Sequence, residues 1–270
     1  MKKIIFSFFI LLFPHLISQS AFAQLATPNA AGLAFGHVHL NVSDLEYHKR
    51  LWVEHFNGIV IEKGPLTAIK LPNLFLLLTE KAPTMGSQAT VIDHLGFKVR
   101  NMKRFLDKWR KAGFEVDDVF IGAEKQTNAY ITLPDGVYVE LQEDQALAQE
   151  IAGYHLHYYL PDHRALLAWY ADLFELEIKP RGIINTTTNV PGLNLSFAKA
   201  TIRRSPTKGS SIDHIGFEVG DLDAFIEKLK PKGIVLDAPY QEIPAIGLKV
   251  AFFTDPAGTR VELTEGLSDY

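Results

Sequence analysis

The chain contains no cysteine. That excludes disulfide frameworks, thiolate metal sites and catalytic thiols, and it leaves an oxidising compartment open. An excess of charge of one sign is lacking too: 27 Lys and Arg face 31 Asp and Glu, for a formal net charge of −4. The basic residues are scattered along the chain, with Lys2-Lys3 and Arg203-Arg204 among a few adjacent pairs. The electrostatic footprint of a nucleic-acid binder is therefore missing, and no nucleic-acid partner is expected. Long apolar runs are absent but for one at the N-terminus. There Lys2-Lys3 precede IIFSFFILLFPHLI, which Pro14-His15 interrupt and which ends in Ala21-Phe22-Ala23. The run is short for a membrane span and has the pattern of an export signal, residues 1–23, cleaved before Gln24. A periplasmic or secreted protein without membrane contact after cleavage is expected, with residues 26–34 (ATPNAAGLA) as a flexible lead-in.

What is present is an apolar fraction of 47% over 270 residues, enough for a sizeable core. The chain also repeats itself. VIDHLGFKV at Val91–Val99 returns as SIDHIGFEV at Ser211–Val219, GHVHLNVSD as YHLHYYLPD, and LPDGVYVELQE as DPAGTRVELTE. His37, His94 and Glu140 thus correspond to His155, His214 and Glu262, at offsets of 118, 120 and 122. Landmarks holding such constant register imply two tandem domains, 35–145 and 153–266, joined near Asp144–Gly153.

Each half divides again. An alternating strand, HVHLNVSD, leads into an amphipathic helix in which Leu45, Leu51, Trp52 and Phe56 share a face, with Gly58 at the expected stop. Short strands punctuated by Gly and Pro follow. The same order restarts at Ile92, Tyr154 and Ile212, giving four βαβββ modules and an α+β fold class.

In a strand, alternate side chains share a face, so His37 lies with His39, Tyr138 with Glu140 and Arg260 with Glu262. A glutamate between apolar residues, as in VYVELQ, is costly to bury unless paired or bound to a cation. Two imidazoles and a carboxylate form a three-ligand set that leaves coordination positions open, which suits a catalytic metal. Without thiolates the candidate ions are Fe, Mn, Zn, Ni, Co or Cu in divalent form. The sequence leaves the pairing open: His37 can share a cavity with His94 and Glu140, or with His214 and Glu262. Independent cavities within each half are the working expectation.

These residues and this architecture resemble the vicinal oxygen chelate superfamily, which includes glyoxalase I, fosfomycin-resistance transferases and type I extradiol dioxygenases. The resemblance covers residues 35–266 and rests on DHLGFKV, DHIGFEV, DPAGTRVEL and the pattern H-x-x-x-x-V-x-D at His37. It implies metal ligands at His37, His94 and Glu140 and, in the second half, at His155, His214 and Glu262. Glyoxalase I adds a carboxylate at the end of the first module's last strand. Here Leu77 takes that place, and Leu195 or Ser196 takes it in the second half, so a four-ligand site is not expected; a shifted register would bring in Glu80. Tyr130 matches the tyrosine of extradiol enzymes, whereas Phe252 replaces it in the second half. The expected proton-handling groups are Tyr130, His39 and His157, with chemistry assigned to the first half. The implied function is a metal-dependent lyase, isomerase, hydrolase or dioxygenase acting on a small oxygen-rich substrate; the alternative is a module that binds and sequesters a metal-chelating compound. Oligomeric state leaves no signal in the sequence.

Overall fold

A computed structural model describes residues 25–270, and the expected export signal, residues 1–23, lies outside them. The first module comprises β1 (Leu33–Val42), α1 (Leu45–Phe56), β2 (Ile59–Lys63), β3 (Leu66–Leu71) and β4 (Leu74–Glu80). The second runs β5 (Ile92–Val99), α2 (Met102–Lys111), β6 (Asp118–Ile121), β7 (Thr127–Leu133) and β8 (Val137–Glu143). The third is β9 (Ile151–Leu160), α3 (His163–Leu173), β10 (Thr187–Val190) and β11 (Leu193–Lys199). The fourth is β12 (Ile212–Val219), α4 (Leu222–Leu229), β13 (Gln241–Ile243), β14 (Leu248–Thr254) and β15 (Arg260–Glu265). This is the expected α+β order of tandem modules, with one departure. The third module lacks its first strand after the helix; residues 174–186 form a loop held by isolated bridges at Ile178–Thr188 and Arg181–Ile184. Pro180 removes a backbone donor there and Gly182 turns with φ of 55°, which together break a ladder.

Local chemistry sets the helix limits. Asp44, Asn101 and Asp221 cap α1, α2 and α4 by accepting the backbone N–H of Tyr47, Arg104 and Ala224 at 2.8, 2.8 and 2.9 Å. The stop of α1 differs from expectation: Asn57 takes the left-handed conformation. Gly58 instead allows close packing, since a Cβ there would lie 2.3 Å from Ile69 Cγ2.

The strands assemble into two curled sheets, ordered β13-β14-β15-β12-β1-β4-β3-β2 and β10-β11-β9-β5-β8-β7-β6. Antiparallel pairing of β1 with β12 and of β5 with β9 joins the modules. Each sheet therefore takes one module from each tandem half, and the expectation of independent cavities within halves is corrected. The free edge of β1 has two near-identical partners to choose from, IDHLGFKV and IDHIGFEV, so sequence pattern alone cannot decide. The linker decides it: Arg100, directly after β5, bonds Leu147 O through Nε at 2.8 Å and Glu150 Oε1 at 3.1 Å, and its backbone N–H bonds Glu150 O at 2.9 Å. That clamp delivers β9 to the edge of β5 and leaves β1 to β12.

Alternation along β1 sends Val38 and Leu40 into a core shared by all four modules and turns His37 and His39 to the opposite face. Trp52, Phe56, Phe97 and Trp109 fill one end of this core; Tyr158, Tyr170, Phe174, Phe197 and Phe217 fill the other. Polar ties also run within each half. Asp135 accepts from the Ser43 backbone at 2.8 Å and lies 3.0 Å from His48 Nε2, while the Tyr170 hydroxyl donates to Asp255 at 2.9 Å. Sheets cross the halves and these ties hold each half together, so the halves interlock.

Candidate metal centres

On the face opposite the core, each sheet gathers a histidine–glutamate cluster. In the first sheet His37 Nε2 and His214 Nε2 lie 3.0 and 2.8 Å from the same Glu262 oxygen. In the second, His94 Nε2 and His155 Nε2 lie 2.9 and 3.2 Å from one Glu140 oxygen and 3.2 Å from each other. All six residues are buried. The imidazoles cross almost alike, at 83° for His37 and His214 and 84° for His94 and His155. Every candidate ligand thus enters a cluster, but His37 joins His214 and Glu262, and His155 joins His94 and Glu140, as the sheet pairing dictates.

A glycine opposite each inserted imidazole makes the crossing fit. A Cβ on Gly216 would fall 1.9 Å from the His37 ring, and one on Gly96 2.1 Å from the His155 ring. The GF of both IDH repeats therefore clears space for a histidine from the other half of the chain.

The donor chemistry fits a cation. His94 Nδ1 and His214 Nδ1 donate to the carboxylates of Asp93 and Asp213 at 2.7 and 2.6 Å, which aims each Nε2 lone pair at the cluster centre. Lone pairs of two imidazoles and a carboxylate then converge, and convergent buried acceptors require a proton or a metal between them. Burial opposes charge on His94, but its hydrogen bonds to Asp93 and Glu140 outweigh this and raise its pKa; His214 behaves alike with Asp213 and Glu262. Burial would raise Glu140, yet the neighbouring His155 and His94 hold it far below the usual carboxylate range, and His37 and His214 depress Glu262 likewise. Burial, then the charge of Arg181, pushes His155 down to about 4, a neutral ligand at pH 7. Among the described residues the groups able to hold an ion are His94, Glu140, His155 and His157, and His37, His214 and Glu262.

Asp93 and Asp213 escaped the sequence reading, although the D of both IDH repeats marks them. Arginines in turn brace these carboxylates: Arg204 bonds Asp93, and Arg260 bonds Asp213 at 3.2 Å. Arg204 lies in the basic pair that composition flagged without a role.

The other candidates are now placed. Register pairs Gly216 with Glu262 and Gly96 with Glu140, each glycine two residues beyond a clustered histidine. By the same rule Leu77, opposite His39, and Ser196, opposite His157, hold the fourth-ligand positions, while Glu80 is exposed at the end of β4. Tyr130, opposite Glu140 in register, sets its ring 5.4 Å from His94; Phe252 sets its ring 5.4 Å from His214. His39 stacks on His214 at 4.4 Å and its Nε2 meets Thr79 Oγ1 at 2.7 Å, so it belongs to the first sheet and not with Tyr130. His157 lies 4.9 Å from His94 and neither of its nitrogens has a protein partner.

The walls of the two cavities differ position by position. Phe75 and Leu77, the register partners of His37 and His39, are answered by Asn194 and Ser196 beside His155 and His157. Ala68 is answered by Thr187, Val250 by Asn128 and Phe252 by Tyr130. In the first sheet these residues join Ile246, Leu248, Leu267 and, at the margin, Leu25 and Tyr270 in an apolar cluster that fills the face around the site. In the second sheet the face is polar and keeps unpartnered buried atoms: Asn128 Oδ1, Gln142 Oε1, His155 Nδ1 and both His157 nitrogens.

Residues 154–263 match the model of the Glyoxalase/Bleomycin resistance protein/Dioxygenase superfamily. Glyoxalase I from Zea mays has a similar structure, at 16% identity over 88% of this chain and 94% of that one, with a TM-score of 0.67. A candidate dioxygenase from Bacillus subtilis matches at 10% identity over 90% and 86%, also with a TM-score of 0.67. The second half of the chain thus resembles that superfamily in sequence, and the whole chain shares the fold of those two structures. At these identities the structural likeness to two superfamily members establishes the shared fold, here built from four modules. No curated protein sequence matches the chain.

Proposed function

We propose that this chain is a member of that superfamily and a divalent-metal-dependent enzyme whose chemistry occurs in the cavity of the second sheet, on a small oxygen-rich substrate. One observation carries the reading: both sheets hold the same two histidines and glutamate, but the first, where His37 Nδ1 and His39 Nδ1 lack partners, lies under an apolar cluster, while the second is walled by polar side chains and adds the amide oxygens of Asn128 and Gln142 and both His157 nitrogens to the unpartnered atoms. Buried polar atoms are ordinarily paired, so a run of unpaired ones marks where a ligand belongs.

His94, His155 and Glu140 would hold the ion, which would supply Lewis acidity toward a bound carbonyl, enolate or phenolate oxygen. Asp93 fixes the tautomer of His94. The Tyr130 hydroxyl, kept protonated because burial and then Glu140 raise its pKa, donates to a developing oxyanion. His157, neutral because burial and then His94 lower its pKa, accepts a proton. The relatives' descriptions as glyoxalase and dioxygenase support carbonyl or catechol substrates, with lyase, isomerase, hydrolase and ring-cleaving chemistry all compatible with this set. The cluster of the first sheet would act as a closed, structural counterpart.

The test is turnover of a panel of 2-oxoaldehyde thiohemiacetals and catechols by protein loaded with Mn, Fe, Zn, Ni, Co or Cu. Glu140→Gln should abolish turnover, and Glu262→Gln should leave it near wild type. Loss with Glu262→Gln alone would move the chemistry to the first sheet. Tight binding of a panel member without turnover by any metal form would favour the sequestration reading.

A further inference from the structure

The loop that replaces the missing strand of the third module carries Arg181, and this side chain is 7% exposed. Its Nε donates to Ser196 Oγ at 3.3 Å, and its guanidinium carbon sits 5.3 Å from the centre of the Tyr154 ring. Ser196 occupies the strand position that Glu140 and Glu262 hold in their modules. Where a carboxylate would complete a fourth ligand, this cavity offers a hydroxyl bearing a cation. Leu77, which can accept no hydrogen bond, occupies the same place in the first sheet.

Among the described residues no carboxylate lies within ion-pair distance of Arg181. The neighbouring Glu124 is engaged by the Tyr154 hydroxyl and the Gln142 amide. The loop is fixed: Arg181 and Ile184 exchange backbone bonds of 2.9 Å, and Ile183 N–H bonds Ala123 O at 3.1 Å. A buried guanidinium has five donors in a fork suited to a carboxylate, and leaving it with only the neutral side chains of Ser196 and Tyr154 as partners is costly.

We propose that the cavity of the second sheet takes a substrate bearing a carboxylate beside its chelating oxygens, and that Arg181 holds that carboxylate. This rests on the reading that His94, His155 and Glu140 hold a divalent ion. The ion and the guanidinium together face a single ligand carboxylate, so the cavity favours an anion over a neutral diol or aldehyde. The class it selects is a 2-oxo or 2-hydroxy acid, or an aromatic acid with vicinal oxygens. Arg181 is thus a specificity-determining residue.

Calorimetric titration of the Mn(II)-loaded protein with oxalate and with acetohydroxamate tests this, because both chelate through adjacent oxygens and only oxalate offers a carboxylate to the guanidinium. Arg181→Gln is expected to keep Mn(II), to weaken oxalate about 10- to 100-fold and to leave acetohydroxamate within about threefold. Arg181→Lys keeps the charge without the fork and should weaken oxalate about tenfold, which serves if the glutamine variant does not fold. Mn(II) retained with oxalate unchanged, or with both probes weakened alike, overturns the inference and leaves the metal reading standing. A wild-type protein that takes up none of Mn, Fe, Zn, Ni, Co or Cu overturns both.

Discussion

Gly96→Ala and Gly216→Ala test the crossing of the two halves directly. A Cβ on Gly216 would meet the His37 ring at 1.9 Å, and one on Gly96 the His155 ring at 2.1 Å, where ordinary contact begins at 3.4 Å. Each imidazole must retreat by roughly 1.3–1.5 Å, whereas a metal–nitrogen bond of about 2.0–2.1 Å tolerates a few tenths. Loss of the ligand should weaken the affected site at least about 10²-fold, beyond the cost of losing an outer-shell partner. Overpacking should remove about 1–3 kcal/mol of stability as well. The assay is metal stoichiometry after dialysis, with two ions per chain expected for wild type and one for each variant. Gly96→Ala combined with His155→Gln should lose no further metal, whereas Gly96→Ala combined with His37→Gln should lose both ions. If Gly96→Ala combined with His37→Gln lost only one ion, or if Gly96→Ala left both sites full, the cross-half arrangement would be refuted.

Tyr130→Phe should lower turnover by roughly 10²–10⁴-fold with metal content unchanged, and parallel losses of metal and rate would count against its role as a donor. The metal-free protein should lose stability between pH 7 and 5. His155, at about 4 when folded and 6.5 when unfolded, binds its proton first in the unfolded chain, so falling pH favours unfolding. Its share is about 2 kcal/mol at pH 5, and calorimetric melting of His155→Gln should show a flatter acid limb than wild type; an equally steep limb would refute the assignment. His94 and His214, with raised values, act in the opposite sense, giving stability that is full below 6.5 and lost at higher pH. Exported material should begin at Gln24 by intact mass, and recovery of the full-length chain in membranes would show residues 1–23 to be an anchor.

The modules and the histidines and glutamates that cluster were legible because strand alternation and a repeated register leave marks on one chain. His37, His94 and Glu140 stand out against their apolar neighbours, and their echoes at His155, His214 and Glu262 fix the set. Their grouping was not legible. IDHLGFKV and IDHIGFEV offer β1 the same edge, and the choice between them rests on Arg100 gripping the linker. Asp93 and Asp213 were visible as letters but not as partners, since an acid beside a histidine in a strand ordinarily points to the other face. Arg181 left no pattern at all, because a loop in place of a strand has no period from which to read the direction of a side chain.

The interlocking has a consequence for what counts as a unit of this molecule. Cutting the chain within Asp144–Glu150 would yield two fragments, each carrying one wall of each cavity and neither carrying a whole one. A fragment alone has β1 or β12, and β5 or β9, with an unsatisfied edge, and it regains a closed cavity only by pairing with its complement or with a second copy of itself. The two fragments should therefore recover metal binding on mixing, as two exchanged arms of one assembly whose covalent tether has been released.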